Sequence, residues 1–417
     1  MDSFLIKGPV RLEGTVSVSG AKNAVLPIMA AALLTGGKCT IENVPDLRDT
    51  RTMMKLLDVL GASYEMADGK VRVDTSAINS FEAPYDLVRT MRASIYALGP
   101  LVARYGKAKV SMPGGCAWGP RPIDLHLHGL KDLGADIEIE HGYIYASADK
   151  LHGAEIILSI PSVGATMNIM MAAVLAEGTT IIENAAREPE IPELADALRK
   201  GGAKIDGDGT ARIVIEGVDE IKPFDHSVIP DRIEAGTFAA AAAITGGEVE
   251  IAGCRPDHIR AVIAKLEEAG ASINESETAI KVKGPERIAP VDIETGYYPG
   301  FPTDMQAQMM AVLCRASGAS TIVEHVYPDR FAHVPELNRL GAKINLDNNV
   351  AVVSGVEKLE GAPVMATDIR ASSALILAGL AAEGETKILR VYHIDRGYEG
   401  IERKLAALGA NIRRVSD

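Results

Sequence analysis

The sequence has few of the features that mark a secreted or membrane-spanning protein. Its 417 residues include only four cysteines, and none of them has the CxxC spacing of a disulfide or metal framework. No apolar run approaches the ~18 residues of a membrane span, and the first residues lack the pattern of a secretory signal. We therefore expect a cytoplasmic protein without a membrane partner.

Positive charge is also scarce. Lysine and arginine together number 43 against 56 acidic residues, so the formal net charge is −13. A field of this sign repels nucleic acid, which we therefore exclude as a partner. An anionic substrate would need a local cluster of arginine and lysine.

Several common catalytic and cofactor motifs are missing. There is no P-loop, no GxGxxG after a strand, no HExxH and no GxSxG. His126 and His128 lie two residues apart on a predicted helix and point in different directions, so they make a poor metal pair. We expect neither a metal site nor a cofactor.

What the sequence does contain is a sixfold repeat. A Gly-Ala dipeptide recurs every 68 to 73 residues, each time after a run with apolar residues at helical spacing. Such a glycine is typical of the position just beyond a helix C-terminus. The six dipeptides begin at Gly61, Gly134, Gly202, Gly270, Gly341 and Gly409.

Each repeat also has the same predicted order of elements. A short β-prone run lies upstream of the glycine-terminated helix, an Ala- and Met-rich helix precedes that run, and a hairpin follows, which indicates an α/β protein. Helices such as 238–244 are apolar nearly all round and require burial on every side. We expect them at a domain centre with sheets outside. Two domains of three repeats, or a ring of six, would satisfy this.

Matched positions of the repeats carry unlike charged residues where the first helix begins. Helix N-termini offer backbone N–H groups to anions, although capping plus solvated charge would explain any one copy. The residues are Lys22 and Asn23, Arg92, Ser162 to Thr166, Asp231 and Glu234, Asp304, and Asp368 and Arg370.

An arginine also recurs before the second helix of every repeat. Its guanidinium fork matches phosphate and carboxylate groups, although about half of these side chains are expected to be structural. They are Arg48, Arg121, Arg187, Arg255, Arg330 and Arg396.

One junction departs from the others. Ser111 to Pro122, SMPGGCAWGPRP, places Cys116 in a Gly-rich segment with Arg121 nearby. We interpret it as a mobile surface loop whose positive charge favours the thiolate. The other three cysteines, Cys39, Cys254 and Cys314, lie in apolar contexts and are expected to be buried and inert.

Five motifs, in order along the whole chain, resemble the enolpyruvyl transferase family, the superfamily of EPSP synthase. They are SGAKNA, PGGCAWGPRPIDLHL, PSVGAT, PGFPTDMQAQ and HIDRGYE. The resemblance implies a two-domain inside-out α/β barrel of six βαβαββ repeats, three per domain. It also implies domains of 22–229 and of 1–21 with 230–417, and an active site in a cleft that closes on the substrate.

The motifs are most similar to the family branch that acts on a nucleotide sugar. That branch transfers the enolpyruvyl group of phosphoenolpyruvate to the 3′-hydroxyl of UDP-N-acetylglucosamine and releases phosphate. This is the first committed step of peptidoglycan synthesis, so the resemblance implies roles in cell-wall biogenesis, cell shape, cell cycle and division, and a fosfomycin target. By resemblance, Cys116 is the acid that protonates the enolpyruvyl group and Asp304 accepts the hydroxyl proton.

The resemblance also assigns substrate contacts. Lys22, Arg121 and Arg396 would bind the phosphate and carboxylate, with Arg330 and Arg370 nearby and Asn23 at the intermediate. Ile160 replaces a lysine of some relatives, which removes a charge contact to the diphosphate, and Trp118 and Pro120 alter the loop. The nucleotide-sugar residues would be Arg92, Arg121, Pro122, Ile123, Asp124, Leu125, Ser162, Val163, Gly164, Asp304 and Val326.

Two other functions remain open at this stage. An EPSP synthase-like enzyme would use shikimate 3-phosphate as the acceptor, but that branch lacks the Cys-bearing loop. A non-catalytic sensor would bind the nucleotide sugar without turnover. The sequence makes no prediction of the oligomeric state.

Overall fold

A computed structural model describes residues 2–112 and 123–416, and the chain forms two compact units. One consists of Gly20–Ile229, and the other combines Met1–Ser19 with Pro230–Asp417. We refer to them as the 20–229 unit and the 230–417 unit. Within the described ranges, no helix is both long and apolar enough to cross a bilayer.

Short strands and helices alternate along both units. The strands are β1 Asp2–Gly8, β2 Glu13–Ser17, β3 Lys38–Glu42, β4 Ser63–Ala67, β5 Lys70–Asp74, β6 Glu82–Ala83, β7 Lys107–Ser111, β8 Asp136–Glu140, β9 Tyr143–Ser147, β10 Glu155–Ile157, β11 Thr179–Glu183, β12 Lys204–Asp206, β13 Arg212–Glu216, β14 Asp225–Ser227, β15 Glu248–Ala252, β16 Ser272–Glu275, β17 Ala279–Lys283, β18 Ile293–Glu294, β19 Ala319–Val323, β20 Lys343–Asp347, β21 Val350–Ser354, β22 Leu359–Glu360, β23 Pro363–Met365, β24 Ala382–Leu389 and β25 Ile412–Ser416.

Apart from the short α3, the α-helices fall into two sets, an apolar set and a glycine-terminated set, and short 3₁₀ segments adjoin several of them. In chain order they are α1 Lys22–Ala31, α2 Arg48–Val59, α3 Tyr85–Val88, α4 Leu98–Tyr105, α5 Asp124–Asp132, α6 Val163–Ala173, α7 Glu190–Lys200, α8 Arg232–Thr245, α9 Arg260–Glu268, α10 Gln306–Leu313, α11 Val334–Arg339, α12 Ile369–Ala381 and α13 Ile401–Ala407.

The repeated Gly-Ala dipeptides end six helices with the same hydrogen bonds. After α2, the N–H of Gly61 donates to the carbonyl of Asp58, and the N–H of Ala62 donates to that of Leu57. This is the Schellman arrangement, which requires a left-handed residue and therefore favours glycine. The other five dipeptides form the same pair of bonds, and the φ angles of the six glycines are 88° to 103°. The predicted sixfold repeat is therefore confirmed.

Three four-stranded sheets surround the centre of the 20–229 unit, one for each repeat. Their strand orders are β14-β3-β5-β4, β6-β7-β9-β8 and β10-β11-β13-β12. The first two strands of each sheet run parallel, and the hairpin strands run antiparallel. In the second and third sheets, helices connect the two parallel strands along the chain. The β14 strand, at the end of this unit, completes the sheet of the first repeat.

The 230–417 unit has the same plan, but the N-terminal strands complete two of its sheets. The orders are β2-β15-β17-β16, β18-β19-β21-β20 and β22-β24-β1-β25, with β23 also paired to β24. The β1 strand lies antiparallel between β24 and β25, where Phe4 is opposite both Ile388 and Arg414. Residues 2–17 therefore belong structurally with the C-terminal half of the chain.

Each unit is built around apolar helices that are buried on all sides. In α8, every residue from Ile233 to Ile244 is buried, and alanine fills half of that length. The strands bury alternate residues, as Val71 and Val73 do in β5, so their other face meets solvent. Two separate hydrophobic cores result. The fold is the expected α/β architecture of six βαβαββ repeats, three per unit, with helices inside and sheets outside.

Candidate active site

In the 230–417 unit, Asp304 lies between two buried arginines. It belongs to the 3₁₀ turn Thr303–Met305, which leads directly into α10. Its Oδ1 accepts a hydrogen bond from Nη2 of Arg330 at 2.6 Å, and its Oδ2 accepts one from Nη2 of Arg370 at 2.7 Å. The side chains of the two arginines are 8% and 6% exposed, and that of Asp304 is 25% exposed. Residues far apart in sequence thus form one charged cluster.

The arginines decide the ionisation of this carboxylate. Burial alone would raise the pKa of Asp304, but the charges and hydrogen bonds of Arg370 and Arg330 hold it well below its usual range. Asp304 is therefore ionised at neutral pH and holds a proton only weakly in this arrangement. An anion that competes for the two guanidinium groups would make the carboxylate more basic.

The start of α12 orients Arg370. Asp368 caps this helix, and its Oδ1 accepts hydrogen bonds from the backbone N–H groups of Arg370 and Ala371 at 2.7 and 3.0 Å. The Nη1 of Arg370 also donates to the hydroxyl of Tyr398 at 3.3 Å, and that hydroxyl lies 2.8 Å from Oγ1 of Thr237. One guanidinium nitrogen is thus directed at Asp304 and the other at a buried hydroxyl pair.

Lys22 occupies a similar position in the 20–229 unit. It is the first residue of α1, and its Nζ lies 3.0 Å from Oδ2 of Asp49, with side chains 13% and 3% exposed. Asn23 is the second residue of the helix and is half-buried. The backbone N–H groups at the helix N-terminus carry partial positive charge, and the carboxylate of Asp49 balances the ammonium of Lys22.

A buried amide sets the protonation of His126. The side-chain amide of Asn168 accepts the N–H of Gly99 at 2.8 Å and donates to the carbonyl of Ile95 at 3.0 Å, so the hydrogen-bond network assigns its Nδ2 as a donor to His126 Nδ1, also at 3.0 Å. Burial, reinforced by the charge of Arg92, lowers the pKa of His126 to about 3. The imidazole is therefore neutral, and its Nε2 carries the hydrogen.

The beginning of α6 lies against this histidine. Ser162 caps the helix, and its Oγ accepts the N–H of Ala165 at 3.3 Å. A Cβ on Gly164 would lie 3.0 Å from Nε2 of His126, so glycine permits the close approach. Val163 lies between these two residues. The structure thus brings the predicted Ser162–Gly164 segment next to α5.

The remaining predicted site residues are placed as follows. Ile123 and Leu125 are buried and Asp124, the first residue of α5, is exposed. Arg92 begins a 3₁₀ helix, Arg396 ends another at Val391–Arg396, and both are half-buried, as is Val326. The predictions for Cys116, Trp118, Pro120, Arg121 and Pro122 lie outside the described residues.

Capping accounts for some of the charged junction residues. Ser162, Asp231 and Asp368 each accept backbone N–H groups at the start of a helix. Glu234 is 2% exposed and accepts the N–H of Ser19 at 2.6 Å and the ammonium of Lys404 at 2.7 Å. These four side chains therefore stabilise the fold through these contacts, whereas Lys22 and Asp304 do not cap their helices.

Several polar residues of the site were missed from the sequence. They include Asp49, Asn168 and, most notably, the fully buried Glu324. A glutamate does recur at the matched position of three repeats, as Glu42, Glu183 and Glu324, so a signal existed. It could not show that only the third is fully buried. Among residues 2–112 and 123–416, no group of His, Cys, Asp and Glu could hold a metal ion.

The fold is that of a transferase of enolpyruvyl groups. A family model described as EPSP synthase (3-phosphoshikimate 1-carboxyvinyltransferase) matches residues 6–405, and the chain belongs to this family. Curated relatives named UDP-N-acetylglucosamine 1-carboxyvinyltransferase include those of Geobacter metallireducens, 57% identical over 417 residues, and Trichlorobacter lovleyi, 57% identical over 418 residues. Both alignments cover 100% of each chain.

Solved structures agree with this fold. The enolpyruvyl transferase NikO from Streptomyces tendae has a TM-score of 0.89 and 28% identity, and the match covers 100% of this chain and 99% of that one. EPSP synthase from Acinetobacter baumannii has a TM-score of 0.78 and 18% identity, with 100% of both chains covered. The second likeness shows the fold alone.

Proposed function

We propose that this chain is an enzyme that transfers the enolpyruvyl group of phosphoenolpyruvate to the 3′-hydroxyl of UDP-N-acetylglucosamine and releases phosphate. The observation that carries the proposal is the 57% identity, over both full lengths, to a UDP-N-acetylglucosamine 1-carboxyvinyltransferase. Transfer to shikimate 3-phosphate is not favoured, because identity to the solved EPSP synthase is only 18%.

The reaction needs an acid, a base and several cations. C3 of the enolpyruvyl group gains a proton, C2 becomes electrophilic, and the sugar hydroxyl adds there as its own proton passes to a base. Phosphate then leaves C2 while C3 gives up a proton, which restores the double bond. A thiol is a suitable acid, and we assign this role to Cys116 from the sequence. Asp304 is the base that accepts the hydroxyl proton.

The arginine pair explains how Asp304 can be switched into a base. While Arg330 and Arg370 both contact its carboxylate, they lower the pKa of Asp304 and make it a weaker base. Phosphoenolpyruvate carries a phosphate and a carboxylate, and both compete for the guanidinium groups. Binding of this substrate weakens the hold on Asp304 and raises its basicity when the acceptor hydroxyl is present.

The other proposed contacts divide between the two substrates. Lys22, Arg121 and Arg396 bind the phosphate and carboxylate of phosphoenolpyruvate, and Asn23 contacts the intermediate. The neutral His126 supports the α6 N-terminus, where backbone N–H groups face the diphosphate. The nucleotide sugar is held by Arg92, Arg121, Pro122, Ile123, Asp124, Leu125, Ser162, Val163, Gly164, Asp304 and Val326.

This activity has a cellular consequence. The product commits UDP-N-acetylglucosamine to peptidoglycan, so we place the enzyme in cell-wall biogenesis, with effects on cell shape, cell cycle and division. We place it in the cytoplasm, and the free, unpaired state of Cys39, Cys254 and Cys314 is compatible with a reducing compartment. Fosfomycin, an epoxide, would inhibit it by alkylating Cys116.

A phosphate-release assay tests the proposal. The enzyme is incubated with phosphoenolpyruvate and either UDP-N-acetylglucosamine or shikimate 3-phosphate, and each substrate is also supplied alone. Phosphate should appear only with phosphoenolpyruvate and UDP-N-acetylglucosamine together, and Cys116→Ala should abolish it while Cys254→Ala retains it. Release with shikimate 3-phosphate would support the EPSP synthase alternative, and tight nucleotide-sugar binding without phosphate release would support a sensor.

A further inference from the structure

Glu324 is a fully buried carboxylate that follows β19 in the 230–417 unit. Its Oε1 accepts three hydrogen bonds, from Oγ1 of Thr295 at 2.6 Å and from the N–H groups of Val326 and Tyr327 at 3.0 and 2.9 Å. Its Oε2 accepts one, from Oγ1 of Thr303 at 2.9 Å. Each oxygen of this carboxylate thus holds a different part of the chain.

The repeat architecture does not require this burial. The matched residues Glu42 and Glu183 end strands β3 and β11, and their side chains are 45% and 33% exposed. They form ion pairs with Lys70 and Arg212 on the surface. No lysine or arginine within the described ranges forms an ion pair with Glu324. A buried carboxylate without a direct cation needs strong hydrogen bonds to be tolerated, and here four donors supply them.

We infer that Glu324 is a positioning residue that orients the base Asp304 through one oxygen and the nucleotide-sugar-binding turn through the other. This inference rests on the function proposed above, in which Asp304 and Val326 contact the substrates. In this proposal Glu324 itself contacts neither the enolpyruvyl group nor the sugar hydroxyl.

The Oε2 side leads to the base. The Oγ1 of Thr303 donates to Glu324 and accepts from Nη1 of Arg330 at 3.0 Å, while Nη2 of the same arginine donates to Asp304 at 2.6 Å. The direction of the Thr303 hydroxyl therefore fixes the plane of the Arg330 guanidinium. That plane sets where Asp304 is held.

The Oε1 side leads to the turn. Besides donating to Glu324, Oγ1 of Thr295 accepts the N–H of His325 at 2.9 Å. Three consecutive backbone N–H groups, from His325 to Tyr327, are thus satisfied by Glu324 or by its partner Thr295. The backbone at Val326 is held in one conformation before any substrate binds.

A carboxylate orients both partners better than an amide, because it has two acceptor oxygens, whereas an amide has one acceptor oxygen and one donor nitrogen. In Glu324→Gln, the amide oxygen takes over the three Oε1 donors and the amide nitrogen faces Thr303. That nitrogen donates to the Thr303 hydroxyl, whose own hydrogen must then turn away. We expect the turn at Val326 to stay intact. The Thr303 hydroxyl, however, would no longer hold the Arg330 guanidinium in its present orientation.

The test compares three variants in the assay with phosphoenolpyruvate and UDP-N-acetylglucosamine. Glu324→Gln and Thr303→Val should lower kcat about 10- to 100-fold, as expected for losing one hydrogen bond to a charged group, with the KM for UDP-N-acetylglucosamine within about twofold of wild type. Thr295→Val should mainly raise that KM. Glu183→Gln, at the matched surface position, is the control and should match wild type.

Two results would overturn the inference. One is a Glu324→Gln enzyme with wild-type kcat and KM. The other is an equal loss in all three variants that follows a lowered melting temperature, which would reduce Glu324 to a purely structural role. Rescue of kcat is also expected when Thr303→Val is replaced by Thr303→Ser, which keeps the hydroxyl.

Amide hydrogen exchange separates this inference from the proposed activity, because it needs no substrate. Glu324→Ala should accelerate exchange at Val326 and Tyr327 at least about tenfold, while amides within β19 keep their protection. Unchanged exchange at both positions would refute the positioning role even in an active enzyme. An inactive wild type with accelerated exchange in Glu324→Ala would refute the proposed function and leave the positioning of the turn supported.

Discussion

Asp304 and Arg370 form a 2.7 Å ion pair across 66 residues of sequence, and a second arginine, Arg330, contacts the other carboxylate oxygen at 2.6 Å. The three side chains share a site that is mostly closed to water. A carboxylate in such a place is at once a candidate base and the counter-charge that makes two buried arginines tolerable. The stability of the site and the chemistry proposed for it therefore depend on the same residue.

Replacing Asp304 should therefore harm both properties. Asp304→Asn keeps the shape but leaves Arg330 and Arg370 uncompensated, and breaking a buried pair costs about 3–5 kcal/mol. Urea unfolding at pH 7 measures this cost, with the exposed Asp347→Asn as the control. Phosphate release by Asp304→Asn should fall at least about 100-fold, because the proposed proton acceptor is lost.

The same pair predicts how that stability difference depends on pH. The arginines depress the folded-state pKa of Asp304 well below its ordinary value of 3.8. Its stabilising contribution is thus complete above the unfolded-state pKa and is lost only as the pH falls through the folded-state pKa. The difference in the free energy of unfolding between wild type and Asp304→Asn should stay constant from pH 8 to about 4 and become smaller in stronger acid. A gap that changed between pH 8 and 5 would contradict the assignment.

Burial predicts that a single thiol reacts in the native protein. Cys39, Cys254 and Cys314 are buried, and burial raises the pKa of each thiol, to about 12 for Cys314. Iodoacetamide or fosfomycin should give one adduct by mass spectrometry, on Cys116. In urea, iodoacetamide should label all four. A native adduct on any of the buried three, or labelling of native Cys116→Ala, would contradict this.

A buried histidine should make the protein less stable in mild acid. His333 is 1% exposed, and neither ring nitrogen has a hydrogen-bond partner among the described residues. Burial, with the charge of Arg330, lowers the pKa of His333 to about 3. Since the unfolded chain binds this proton below about pH 6.5 and the folded chain does not, stability must fall as the pH falls.

Replacing that histidine isolates its effect. Between pH 7 and 5, the free energy of unfolding should fall by about 2 kcal/mol more in wild type than in His333→Leu. Below pH 6.5 the difference grows by about 1.4 kcal/mol per pH unit. At pH 7 it should be no less stable, because an unsatisfied polar group is removed. The exposed His128→Leu serves as the control. Equal pH slopes for wild type and His333→Leu would show that the imidazole gains its proton in the folded state.

The Gly-Ala repeat predicts where glycine is required. Gly341 has a φ of 88°, and a Cβ there would meet nothing closer than 4.0 Å, so backbone strain alone opposes a side chain. Gly341→Ala should destabilise by about 1–2 kcal/mol. Gly296 lies outside the left-handed region and has similar space, so Gly296→Ala should be neutral or slightly stabilising. Thermal unfolding of the two variants would show no difference if the conformation at Gly341 were unimportant.

Much of the fold could be predicted from the sequence, because its signals are local. The glycine that ends each outer helix donates to the residue three positions earlier, and the following alanine donates to the residue five positions before it, so six copies of that pattern are visible in the chain itself. Likewise, a helical segment that is apolar on all sides, such as α8, predicts its own burial from the local sequence. What such patterns could not show is that β1 and β2 complete sheets of the C-terminal half. The paired residues are 235 positions apart for β2 and 376 to 414 positions apart for β1.

The site divides in the same way. The sequence by itself determined which residue types occur at the helix N-termini and, through five ordered motifs, the family to which the chain belongs. Only the tertiary structure decided that Asp304 is shared by Arg330 and Arg370, and that Glu324 is buried while Glu42 and Glu183 reach solvent. The physical reason is that the pKa and strength of a charged group depend on its neighbours in space and on its access to water, and neither is written in the local sequence.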